Sequence, residues 1–115
     1  MPLLLCCGRY LGAASLTPPD PESLMRSRYT AYTVRDAAYL LATWHASTRP
    51  ADLQLEAGVR WLGLEVHQHR LVDADHGEVW FVARYRVAGR GHRLQEHSRF
   101  VREAGQWWYV DGDVQ

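Results

Sequence analysis

A chain of 115 residues is the size of one domain and too short for two of ordinary length. Its 13 basic and 13 acidic residues give a formal net charge of zero. That excludes a global field drawing in nucleic acid or anionic lipid, so neither a nucleic-acid nor a membrane partner is expected. No stretch approaches the length of a membrane-spanning helix, and Met1–Cys7 lacks both the basic start and the apolar length of a secretory signal.

Residues 1–19 read as an irregular leader that closes with Thr17-Pro18-Pro19, and residues 20–115 as one domain. The two cysteines are adjacent, Cys6 and Cys7. They cannot staple distant parts of the chain, and a reduced, cytoplasmic location is expected. Asp20-Pro21-Glu22 starts a helix: Asp20 caps free N–H groups, Pro21 suits the first helical position, and Glu22 favours the positive end of the dipole. The helix is predicted to run to about Val34, with Met25, Tyr29 and Tyr32 on one face and Arg28 and Arg35 on another. Asp36 caps a second helix, Ala37 to about His45, whose buried stripe is Leu40, Leu41 and Trp44. Pro50 breaks it, and one or two helical turns are expected within residues 52–59.

From Trp61 the apolar period changes from 3.6 to 2. Four strands are predicted: Trp61–Val72 with Leu62, Leu64 and Val66 on one face; Glu78–Ala88 with Val79, Phe81, Ala83, Tyr85 and Val87 on one face; Arg93–Glu103; and Gln106–Asp111. Asp73–Gly77, Gly89–Gly91 and Gly105 supply turn chemistry. Helices followed by an antiparallel meander make an α+β fold, a curved sheet closed by helices around an interior.

If Phe100 points to the core, then Leu94, Glu96 and Ser98 do too. A carboxylate on an inner sheet face calls for an ionic or hydrogen-bonding partner. An Arg such as Arg28 or Arg84 would make it purely structural; otherwise it is a ligand contact or general base. Tyr29, Tyr32, Tyr39, Trp44 and His45 fall where helices meet the sheet, as core aromatics or as pocket wall. Glu65, His67 and His69 alternate on one strand and read as a solvated face rather than a metal site. Trp107 and Trp108 face opposite sides, so one of them lies outside the main core. An outward Trp beside Val82 and Val101 would suit a homodimer patch.

Cys6-Cys7-Gly8, LMRSRYTAY (residues 24–32), LATWH and STRP (residues 41–50), WLGLEV (61–66), VWFVARYR (79–86), EHSRFVRE (96–103) and WWYVDG (107–112) together make a pattern. On these residues the chain resembles the YchJ-like family of small bacterial proteins. The resemblance implies a cone-shaped domain of the nuclear-transport-factor-two-like type and no particular activity. Full-length members begin with a SEC-C zinc motif, which elsewhere mediates protein contacts. Only its second cysteine pair is matched, by Cys6 and Cys7, so the leader reads as a remnant of that motif. No cofactor is expected, and zinc would depend on these two thiols.

The sequence carries no catalytic motif. It is read as a non-catalytic domain that binds a small molecule, or serves as an accessory module, with Tyr29, Trp44, Tyr85, Glu96, Ser98 and Trp108 as candidate cavity residues. One alternative is a proton-transfer isomerase or dehydratase that uses Glu96. The other is a homodimeric interaction module.

Overall fold

The computed structural model describes residues 18–55 and 57–115. The reading of the leader, Cys6 and Cys7 included, falls almost wholly outside them. Helices α1 (Pro21–Val34) and α2 (Ala37–Ala42) precede strands β1 (Val59–Asp73), β2 (His76–Val87), β3 (Arg90–Glu103) and β4 (Gln106–Val114). The strands form one antiparallel sheet in chain order, so the α+β expectation holds.

Each helix begins where its cap predicts. The Asp20 carboxylate accepts from the Ser23 N–H at 2.7 Å, and Asp36 accepts from the Tyr39 N–H at 3.0 Å. At its other end α1 stops on Arg35 in the left-handed conformation (φ 57°). The second helix is shorter than its pattern suggests. Thr43 O accepts from the Tyr109 N–H at 2.9 Å, and the His45 N–H donates to Tyr109 O at 2.7 Å. These sheet-like bonds take Trp44 and His45 out of the helix and fasten the segment to β4. Neither helix nor strand forms at residues 50–55 or 57–58, so the helical turns expected there are absent.

Ala88-Gly89 and Ala104-Gly105 have positive φ at both residues, the geometry that two-residue hairpins require to match strand twist. Arg90 therefore already belongs to β3, where turn composition had placed it in a loop. Register shifts along β1 make Leu62, His67 and Val72 extra residues. The first corrects the predicted face: Trp61, Leu64 and Val66 lean on the core, while Leu62 is left exposed. Alternation alone cannot see a bulge.

The core joins Leu24 and Met25 of α1 to Val79, Phe81 and Ala83 of β2, Phe100 of β3 and Trp107 of β4. Gly77 lets α1 settle on the sheet, since a Cβ there would come within 2.5 Å of the Pro21 ring. Among the described residues no helix is long and apolar enough to cross a membrane.

Candidate functional site

A pocket of about 190 Å³ lies between α1 and the inner face of the sheet. The helix supplies Met25, Arg28, Tyr29 and Tyr32. Phe81 and Ala83 contribute from the middle of the sheet, and Trp61, Leu94, Glu96 and Tyr109 complete the lining. Tyr29, Tyr32 and Tyr85 all pack on Trp61, with ring centroids 5.2 to 5.8 Å apart.

Two charged side chains define the chemistry of this space. Arg28 is only 2% exposed, and the sequence had put it on a face apart from the tyrosines. Its Nη1 donates to Leu40 O at 2.8 Å and to Thr43 Oγ1 at 2.7 Å. The guanidinium lies 4.3 Å from the Tyr109 ring centroid and 5.2 Å from that of Trp44. Burial pulls its pKa below the usual arginine value, and nearby Tyr32, Tyr109, Tyr39 and Glu96 oppose that fall. An Arg in such a setting keeps its charge.

Glu96 is the second. The Ser98 hydroxyl donates to its Oε2 at 2.5 Å. Gly112 lies opposite Ser98 in β4, and a Cβ there would overlap the Glu96 carboxylate. The missing side chain is what makes room for the acid. The expected Arg–Glu96 ion pair does not form: Arg84 pairs with Glu65 at 3.1 Å, and Arg28 acts on Glu96 only across the pocket.

The phenols complete the electrostatics. Burial raises the pKa of Tyr29, Tyr32 and Tyr109. For Tyr109 the Glu96 charge adds to the rise; for Tyr32 the Arg28 charge offsets part of it. All three remain protonated hydroxyls at neutral pH.

Of the residues singled out in the sequence, Tyr29, Tyr32 and Glu96 are on the pocket wall. Ser98 is fully buried behind Glu96, Trp44 packs edge-on against Tyr109 at 5.0 Å, and Tyr85 supports Trp61. Trp108 is elsewhere. Phe100 faces Tyr109 across the β3–β4 ladder, so Trp107 turns into the core and Trp108, opposite Val101, turns out. The Trp108 ring rests near His45, and its Nε1 donates to Glu103 O at 3.0 Å. The outward apolar patch is also smaller than expected, because Val82 is fully buried. Arg28, Trp61 and Tyr109 were missed as pocket residues. Tyr109 was within reach, since it shares a strand face with Trp107. Arg28 had no local signal, since its partners come from α2 and β4.

Glu65, His67 and His69 do not converge. His67 and Arg84 both bond Glu65, whereas His69 reaches Glu22 of α1 at 3.0 Å. Among the described residues no group of three or more His, Cys, Asp or Glu is placed to hold a metal ion.

A meander sheet closed by N-terminal helices over a small polar-and-aromatic interior defines an NTF2-like domain. The family model described as "YchJ, middle NTF2-like domain" matches residues 20–112. A UPF0225 protein of Polaromonas naphthalenivorans (strain CJ2) is 60% identical over 113 residues, covering 98% of this chain and 82% of that one. Another from Methylibium petroleiphilum is 59% identical, covering 95% and 80%. The chain belongs to this YchJ (UPF0225) family. Among solved structures, a SEC-C motif containing protein from Rhodopseudomonas palustris superposes with a TM-score of 0.86 at 29% identity, covering 98% of this chain and 91% of that one. One from Psychrobacter arcticus gives 0.78 at 26% identity, covering 100% and 73%.

Proposed function

We propose that this domain holds one small organic molecule in the pocket under α1 and performs no chemistry on it. The observation that carries the proposal is Glu96. It is a carboxylate inside an aromatic-walled space, fixed by Ser98 and Gly112 and paired with no cation among the described residues. A carboxylate has about four lone-pair sites, and Ser98 occupies one. The remaining capacity suits an N–H or O–H donor of a ligand. The volume sets the size: a cavity of about 150 Å³ admits a benzene ring, so about 190 Å³ suits one ring with a short substituent. Trp61, Tyr29 and Tyr32 offer ring edges and faces to a flat molecule.

Native mass spectrometry of freshly purified protein is the test, with Ala83→Leu as the filled-pocket variant. A co-purifying compound of single-ring mass, absent from Ala83→Leu and depleted from Glu96→Ala, is the expected result. A compound that stays bound to both folded variants would place binding elsewhere and remove the proposal.

A second reading rests on the company Glu96 keeps. A carboxylate sharing a pocket with two protonated phenols, Tyr32 and Tyr109, has the parts of a base and an oxyanion donor. It would support proton transfer next to a carbonyl. Wash-in of deuterium α to the carbonyl of a cyclic ketone, lost in Glu96→Gln, would establish it. No exchange above the uncatalysed rate would leave binding alone.

A further inference from the structure

The outer face of the sheet is unevenly charged. Arg60 of β1 stands directly opposite Arg86 of β2, and Arg84 of β2 stands opposite Arg93 of β3. All four are exposed. They share the face away from the core, because their neighbours Trp61, Ala83, Tyr85 and Leu94 point inward. Like charges directly across a ladder are destabilising, and here two such pairs lie in successive rows, about 6.7 Å apart along the strand. Elsewhere on this sheet three of the four arginines are matched, Arg90 being the exception among the described residues. Arg70 pairs with Glu78, Arg99 with Asp111 and Asp113, and Arg102 with Asp75. In the cluster only Arg84 has an acid, Glu65. Among the described residues Arg60, Arg86 and Arg93 make no ion pair.

We infer that this quartet is a docking surface for an acidic segment of another protein, extended and bearing carboxylates at alternate positions. The molecule already contains a small version of that contact. Arg99 on β3 is clasped by Asp111 at 2.6 Å and Asp113 at 2.8 Å, two carboxylates spaced by one residue on the neighbouring strand. An extended acidic chain over the quartet would repeat the arrangement, one carboxylate to each row of arginines, since alternate side chains on a strand have the same repeat as the rows. The extent of the patch argues against a nucleic-acid strand. Glu65 borders the arginines on one side, and Glu78, Asp111 and Asp113 lie further along the same face. A continuing polyanion would be driven over those acids; a short acidic segment ends before them. The net charge of zero, which speaks against long-range attraction of nucleic acid, is silent on such a local cluster.

The test uses fluorescence anisotropy with three labelled probes: a peptide of alternating Glu and Thr, the same peptide with Gln for Glu, and single-stranded oligothymidylate. The Glu–Thr peptide should bind at low ionic strength and weaken as salt shortens the screening length. The Gln–Thr peptide should not bind. Combined Arg60→Gln, Arg86→Gln and Arg93→Gln should weaken the Glu–Thr peptide by about tenfold, from exposed pairs of modest individual strength. Arg70→Gln, outside the cluster, should leave it unchanged. Absence of Glu–Thr binding at low salt, tighter binding of oligothymidylate, or full binding by the triple variant would each overturn the inference. A readout without a probe stands beside these. With the like-charge pairs removed, the triple variant should melt no lower than the parent at low salt, and a marked loss of Tm would mean that the arginines are not repelling one another.

Discussion

The two faces of one sheet solve the problem of charge in opposite ways. On the inner face polar groups are few and individually fixed. Arg28 is held by a carbonyl, a hydroxyl and two ring faces, and Glu96 by one hydroxyl and the space over Gly112. No buried side-chain nitrogen or oxygen among the described residues lacks a partner. On the outer face charges are many, and most are neutralised in cross-strand pairs such as Arg70–Glu78 and Arg99–Asp113. The difference follows from solvent. A charge at the inner face loses its hydration and needs a built environment, whereas a charge at the outer face keeps water and is worth little either way. Each face also has one departure from its own rule: an acid without a cation inside, and a cluster of four cations with one acid outside. Those departures are where ligands are proposed.

The inner face should be far less tolerant of change. Phe100→Ala removes a ring that is 2% exposed and is expected to lower stability by about 3–5 kcal/mol in denaturant unfolding. A loss below about 1 kcal/mol would contradict the core as described. Gly112→Ala should cost about 1–3 kcal/mol through overlap with Glu96. Glu96→Ala in the same chain should recover most of that loss, because the two residues compete for one space. Simple additivity of the two changes would show that Gly112 does not seat the acid. Asp20→Ala, at the start of α1, should cost about 1 kcal/mol by loss of the cap.

Outer-face effects are smaller and depend on pH. The Arg70 guanidinium, with help from His97, holds the Glu78 carboxyl below its ordinary range. Its stabilising contribution is therefore present above the unfolded carboxylate pKa and lost as pH falls through the depressed folded value. Tm of the parent should drop on acidification more steeply than Tm of Glu78→Gln; parallel curves would show that the pair adds nothing. Smallest of all, Leu62→Thr, at an exposed bulge, should stay within about 0.5 kcal/mol of the parent.

Much of the architecture was legible in the residues themselves. The caps at Asp20 and Asp36 and the switch from a 3.6 to a 2 period located both helices and all four strands, because such signals are local. The inward face of β2 and the inner position of Glu96 and Ser98 followed from simple alternation. Legibility ended where a distant element intervened. A bulge turned Leu62 outward, two backbone bonds to Tyr109 shortened α2, and ladder pairing decided which of Trp107 and Trp108 reached the core.

The sequence by itself determined the fold class, the family and the presence of an acid on an inner strand face, since periodicity and capping depend on neighbours a few positions away. Only the tertiary structure decided that Arg28 belongs to the pocket, that Gly112 seats Glu96, and that four arginines from three strands meet on one surface. Those facts, with only Arg84 of the four arginines holding an acid among the described residues, depend on register between strands and on helix-to-sheet contact, which bring together residues far apart in the chain and which no local pattern encodes.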